Sequence, residues 1–98
     1  MRECVYWRAS DGVRTALVVE RGRKWIHLIP MEDHKVRIRK VPLSEERNLT
    51  PVLFHGKPYP WNRAVKHFKK HAGRGYGITK SAKAYLKPRR KESTTPNN

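Results

Sequence analysis

The architecture of this chain follows from residues 3–29, which read ECVYWRASDGVRTALVVERGRKWIHLI. The beginning of this stretch is rich in β-forming side chains and leads to Asp11-Gly12, a dipeptide that tolerates the positive φ of a tight hairpin. Residues 13–20 then alternate in the manner of a strand and end at a second turn, residues 21–24. The stretch therefore predicts three antiparallel strands joined by two hairpins.

A fourth strand is predicted at residues 35–41, where Val36 and Ile38 alternate with basic side chains and are expected to point inward. Residues 42–60 contain four prolines and show no periodicity. Within them, residues 52–54 can form a short edge strand that closes the sheet. The first part of the chain thus predicts a sheet of four to five strands.

Two helices are predicted after Pro60, which suits the first turn of a helix. Apolar side chains then recur at the spacing of one helix face: Trp61, Ala64, Val65, Phe68 and Ala72. The three largest of these are expected to pack against the sheet, and Gly73 is expected to end the helix. Thr79 can cap a second helix that reaches Leu86 and ends before Pro88.

These elements predict an α+β fold, with an antiparallel sheet or small barrel followed by two short C-terminal helices. The 98 residues suit one domain, residues 1–88, with residues 89–98 as a disordered basic and polar tail. The lone Cys4 is expected to be buried and reduced. With no apolar run of about 18 residues and no signal peptide, we expect a cytoplasmic protein without a membrane partner.

Charge is sorted along the chain. Residues 1–46 carry ten Lys or Arg against seven Asp or Glu, a net charge of +3, whereas the remainder carries thirteen against one, a net charge of +12. The single acidic residue of that remainder is Glu92. An uncompensated field repels itself in the folded state, so a surface that binds a polyanion is the simplest explanation.

The principal candidate site consists of the cations on the two predicted helices, their connector and the tail. Basic residues recur about one turn apart on each helix, a spacing that can meet successive phosphates. A merely solvated face would usually interleave glutamates with the lysines, and no glutamate is available here. The connector between the two helices, residues 73–77, can alternatively be a plain turn without a role in binding. The predicted nucleic-acid-binding residues are Arg63, Lys66, Lys69, Lys70, Arg74, Tyr76, Lys80, Lys83, Lys87, Arg89, Arg90 and Lys91.

A secondary basic surface is predicted on the sheet. It comprises Arg21, Arg23, Lys24, Arg37 and Arg39. Tyr6, Trp7 and Trp25 flank it, either as core side chains or as platforms on which bases stack. In strand number, hairpin spacing and aromatic content, residues 3–54 resemble the SH3-like small barrels of the Tudor, KOW and chromo-like group, which often bind nucleic acid or protein tails. The compact, basic, tailed chain is also similar to small accessory proteins of bacteriophages, which implies the host cytoplasm as its location.

No metal, cofactor or catalytic group is predicted. His67 and His71 have the i, i+4 spacing that can hold zinc, but no further ligand follows at a fixed spacing. The basic region contains no carboxylate for general base catalysis or for Mg²⁺ binding. We therefore expect a protein that is not an enzyme.

The sequence thus predicts binding of DNA or RNA through phosphate contacts, with little sequence specificity. The alternative function is that of a protein-interaction module or inhibitor, which docks on an acidic host protein or a nucleoprotein complex through the same surface. In that case the affinity would depend on particular side chains more than on the number of charges.

Overall fold

A computed structural model describes residues 2–32, 35–71 and 77–87 of the chain. Along these residues the elements are β1 (Glu3–Ala9), β2 (Gly12–Arg21), β3 (Trp25–Pro30), β4 (Arg39–Pro42), a 3-10 helix (Leu43–Asn48), β5 (Leu49–Pro51), β6 (Leu53–Phe54), β7 (Lys57–Pro58), α1 (Trp61–His71) and α2 (Lys80–Tyr85). The predicted α+β class is confirmed, since an antiparallel sheet is followed by short helices.

The main sheet has five strands in the order β4-β3-β2-β1-β5, and all neighbouring strands are antiparallel. Gly12 begins β2 and faces the last residue of β1, so the hairpin loop is Ser10-Asp11, one residue earlier than predicted. Gly12 has a φ of 135°, which a residue without a Cβ adopts without strain. In the second hairpin the N–H of Gly22 donates to the carbonyl of Trp25 at 2.8 Å. Both predicted hairpins are therefore confirmed.

The fourth strand is shorter than predicted, because β4 contains only Arg39–Pro42 and not the whole of residues 35–41. Val36 lies outside the sheet and forms a parallel bridge with Ile78, immediately before α2. Two backbone hydrogen bonds of 2.9 Å flank this bridge. Val36 is fully buried against the helices, so residues 35–38 connect the sheet to α2 instead of extending β4.

The strand that completes the sheet also differs from the prediction. It is β5, Leu49–Pro51, which pairs with β1, and not residues 52–54. Residues Leu53–Phe54 instead pair with β7 in a separate two-stranded sheet. The preceding 3-10 helix was not predicted, since its segment has no hydrophobic periodicity. Pro51 is compatible with β5 because an edge strand leaves some N–H positions unpaired.

One face of the sheet curls around its own hydrophobic cluster, named here the inner cluster. Its buried members are Val5, Trp7, Ala16, Val18, Ile26, Leu28 and Val41. Val41 comes from β4, and Leu49 of β5 packs against the same cluster. Because β4 and β5 are the opposite edges of the sheet, both edges meet around one core.

The helices cover the other face. This outer cluster contains Cys4, Leu17, Val19, Ile29, Val36, Trp61, Ala64, Val65, Phe68, Ala82 and Leu86. The predicted contact of Trp61, Val65 and Phe68 with the sheet is thereby confirmed. Burial, with a smaller contribution from the charge of Glu3, raises the pKa of the Cys4 thiol to about 11. Cys4 is therefore a protonated core side chain at neutral pH.

Some predictions fall outside the described residues. These are the helix end at Ala72 and Gly73, the stop at Pro88 and the tail at residues 89–98. Within the described ranges, α1 and α2 are too short and too polar to cross a lipid bilayer.

Candidate functional site

α1 buries one stripe of side chains and exposes a basic stripe opposite to it. Arg63, Lys66 and Lys70 lie at i, i+3 and i+7, with His67 between them, and all four are exposed. Lys69 is exposed as well but lies off this line. The basic stripe is held in position because the buried side chains of α1 dock on the sheet.

A cleft of about 360 Å³ lies along the basic stripe. It is lined by Tyr59, Arg63, Lys66, His67, Lys70 and His71. The ring centroids of His67 and His71 are 4.5 Å apart. The guanidinium carbon of Arg63 lies 4.7 Å from the ring centroid of Phe54, a contact that ties this cation to β6. Three cations therefore converge on one concave surface, which is the chemistry of an anion-binding site.

α2 presents a second row of cations. The Thr79 hydroxyl accepts a hydrogen bond from the N–H of Ala82 at 3.2 Å and so caps the helix as predicted. The buried side chain of Ala82 packs into the outer cluster, as does that of the C-cap residue Leu86. Lys80, Lys83 and Lys87 are exposed. An apolar side and a lysine side are thus separated on this helix.

Two arginines of the predicted secondary basic surface are paired with carboxylates. Arg21 donates to both carboxylate oxygens of Glu46, at 2.9 and 3.1 Å, and to Glu3 at 3.1 Å. These hydrogen bonds raise the pKa of Arg21 and lower that of Glu46. Arg39 donates to Glu32 at 3.2 Å. Arg21 and Arg39 therefore offer less net charge to a ligand than the sequence alone indicates.

The cations on the helices, unlike Arg21 and Arg39 of the sheet, are not paired with carboxylates in the described residues. In the part of the chain that the structure describes, no ion pair involves Lys66, Lys69, Lys70, Lys80 or Lys83. Of the secondary basic surface, Arg23, Lys24 and Arg37 are exposed. Within the described residues these three also form no ion pair, so uncompensated charge lies on both surfaces, and α1 and α2 contain no carboxylate of their own.

A larger cavity, of about 940 Å³, lies beside the hairpin between β1 and β2, and charges of both signs line it. Arg14 pairs there with Asp11 and with Glu32, the latter at 3.4 Å. The pair with Arg14 lowers the pKa of Asp11. Five cations and three carboxylates line this cavity, and arginines pair with two of the carboxylates, so its positive charge is compensated only in part.

The three aromatic side chains that flank the secondary surface have different environments. Trp7 belongs to the inner cluster, and its indole N–H donates to Glu45 at 3.4 Å. Tyr6 and Trp25 are exposed, with 46% and 43% of their surfaces accessible. The Nζ of Lys40 lies 5.0 Å from the ring centroid of Trp25. One of the three is therefore core, and two are available for contacts.

Part of the predicted site lies outside the described residues, namely Arg74, Tyr76, Arg89, Arg90 and Lys91. Tyr59, which lines the cleft beside α1, was not identified from the sequence. The feature of the sequence that could have indicated Tyr59 is its position directly before Pro60 and Trp61, where α1 begins. Over residues 2–32, 35–71 and 77–87, no group of three or more His, Cys, Asp or Glu side chains is placed to hold a metal ion.

Comparisons of the chain with protein-family models, with curated proteins and with solved structures found no match.

Proposed function

We propose that this protein binds nucleic acid, without catalysing a reaction, through phosphate contacts of α1 and α2. One observation carries the proposal: the lysines of the two helices are exposed and without ion-pair partners in the described structure, whereas Arg14, Arg21 and Arg39 of the sheet are paired. Such a concentration of like charge raises the energy of the folded state, and a bound polyanion offsets that cost.

The cleft beside α1 is the centre of the proposed interface. Arg63, Lys66 and Lys70 would contact phosphates there, and Lys69 with the three lysines of α2 would extend the positive surface. Lysine meets a phosphate as a point charge, so these contacts position a backbone and do not distinguish base sequences. Arg74, Tyr76, Arg89, Arg90 and Lys91 belong to the proposal on their residue types alone.

We further propose that the sheet is an SH3-like barrel. Two features support this. The fifth strand returns to pair with β1 after a four-strand meander, and the two edge strands share the inner cluster. In a small barrel of this kind the interior is filled by side chains from every strand. The barrel would then serve as the rigid platform on which the two basic helices are mounted.

The proposed function is tested by the salt dependence of binding. Labelled DNA and RNA duplexes of two unrelated sequences are titrated with the protein over a series of salt concentrations. We expect log K to fall linearly with log[salt], with a slope that corresponds to about 4–7 neutralised phosphates. We also expect nearly equal affinities for the two sequences, because phosphate contacts carry no sequence information.

Two results would contradict the proposal. One is a lack of binding even at low salt, and the other is an affinity that does not change with salt. If the protein instead retained a partner from a lysate after complete nuclease digestion, that result would favour the alternative of docking on an acidic protein.

A further inference from the structure

Trp25 is the exposed tryptophan among the three of this chain. Trp7 and Trp61 are 7% and 3% accessible, whereas Trp25 is 43% accessible. Leu43 is also 43% accessible and lies close by, since its N–H donates to the carbonyl of Lys24 at 3.0 Å. An indole supplies a large apolar surface that proteins usually bury. Trp25 therefore forms an exposed apolar platform at the turn between β2 and β3, and the backbone of Leu43 lies near it.

One cation lies over this platform, and two precede it in the chain. The Nζ of Lys40 lies 5.0 Å from the centroid of the Trp25 ring. Arg23 and Lys24 precede Trp25 in the hairpin turn and are exposed. An aromatic face with adjacent cations is the arrangement with which proteins hold a base and its phosphates.

Trp25 also lies on the sheet face that the basic helices cover. Side chains along a strand alternate between the two faces, so Trp25, His27 and Ile29 share one face of β3. Ile29 packs in the outer cluster with α1 and α2. Ile26 and Leu28, on the opposite side, belong to the inner cluster. Trp25 thus lies on the same face of the sheet as the helices.

We propose that Trp25 is a stacking site for an unpaired base, so that the ligand includes single-stranded nucleic acid. The base stacks on the indole, its phosphates lie beside Lys24 and Lys40, and the strand continues onto the helical cations. This inference rests on the proposed nucleic-acid binding and specifies its substrate. In a duplex the bases are already stacked on each other, so a stacking platform favours an unpaired strand.

The test compares Trp25→Leu with the wild-type protein on two labelled probes, single-stranded oligothymidine and a DNA duplex with a similar number of phosphates. Loss of one base–indole stack is expected to weaken single-strand binding about tenfold or more. Duplex binding is expected to change by less than about twofold, since no lysine or arginine is removed. Trp25→Phe keeps a ring and is expected to recover most of the single-strand affinity.

Leu43→Ala is the matched control, because Leu43 has the same accessibility and lies beside the same turn but has no ring. This variant is expected to bind both probes as the wild type does. Unfolding curves of the three variants check that the fold is intact.

Tryptophan fluorescence gives a direct signature. Because Trp7 and Trp61 are buried, quenching of the emission by unlabelled oligothymidine reports on Trp25. We expect quenching in the wild type and in Leu43→Ala, and its loss in Trp25→Leu while the labelled probe still binds at high protein concentration.

The stacking site is refuted if Trp25→Leu binds the single strand as tightly as the wild type. It is equally refuted if both probes weaken to the same extent, or if the single strand binds without quenching. Each of these results leaves binding through the helical phosphate contacts intact. Failure of the wild type to bind either probe at low salt would refute the stacking site and the proposed function together.

Discussion

The sheet and the helices of this protein both contain many cations, but these cations differ in whether they form ion pairs. In the sheet, Arg21 donates to Glu46 and Glu3, and Arg39 donates to Glu32. On the helices, no lysine forms an ion pair within residues 2–32, 35–71 and 77–87, and no Asp or Glu occurs in the sequence between Glu46 and Glu92. Within the described residues, the sheet therefore neutralises part of its positive charge with its own carboxylates, and α1 and α2 contain no carboxylate that could do the same.

This difference has an energetic consequence. Ion pairs on an exposed surface contribute little individually, but unpaired like charges on neighbouring turns repel each other. The helices must therefore be held by their apolar contacts, and a bound anion would offset the repulsion between their charges. Three predictions on the free energy of unfolding and one on binding test this difference between the sheet and the helices.

The largest effect is expected in the core beneath the helices. Phe68 is fully buried in the outer cluster between α1 and the sheet. Phe68→Ala is expected to lower the free energy of unfolding by about 3–5 kcal/mol, because it leaves a cavity. Chemical denaturation measures this change.

Lys69→Ala, at the adjacent exposed position, is the control and is expected to change the free energy of unfolding by less than about 0.5 kcal/mol. Equal stabilities of Phe68→Ala and the wild type would mean that α1 is not docked on the sheet.

A smaller effect is expected at the start of α2. The hydroxyl of Thr79 accepts from the N–H of Ala82, and Thr79→Ala removes this cap at a cost of about 1 kcal/mol. Thr79→Ser keeps the hydroxyl and is expected to stay close to the wild type in the same denaturation experiment. If the serine variant were as unstable as the alanine variant, the cap would not be the cause.

The smallest effect concerns the ion pair of the sheet. The hydrogen bonds from Arg21 lower the pKa of Glu46 in the folded state. The pair therefore contributes its full stability above the unfolded pKa of about 4.3, and loses it as the pH falls through the lower folded pKa. Glu46→Gln is expected to cost less than about 1 kcal/mol at neutral pH, since the side chain of Glu46 is 48% accessible.

Denaturation curves at a series of pH values check this prediction. The difference in stability between Glu46→Gln and the wild type is expected to shrink toward zero as Glu46 becomes protonated. A difference that persisted unchanged in acid would show that the variant acts through something other than the charge of Glu46.

The sequence predicted the elements whose pattern is local. The strands of residues 3–29, the apolar stripe of α1 and the cap at Thr79 follow from alternation, helical spacing and side-chain chemistry. It did not predict β5 or the departure of Val36 from the sheet. Both depend on distant partners, since β5 pairs with β1 and Val36 pairs with Ile78. A strand of three residues has too little pattern to reveal such pairing.

For the candidate site, the sequence identified which helical residues are cationic and that no acidic residue accompanies them. It did not show that Arg21 is paired, because its partners Glu46 and Glu3 are 25 and 18 residues away in the chain. Nor did composition distinguish the exposed Trp25 from the buried Trp7, since both lie in strands with similar neighbours. Both facts depend on how the sheet curls.

The most direct test of binding through the helices compares two charge-removing variants in the same salt series. Replacing Lys66, Lys69 and Lys70 by Gln preserves helix propensity and removes only charge. We expect the slope of log K against log[salt] to shrink by about three ion equivalents, whereas Arg37→Gln with Arg39→Gln should shrink it by at most about one or two, because Arg39 is already paired with Glu32. A larger loss from the sheet pair would contradict the proposal and would place the binding face on the sheet.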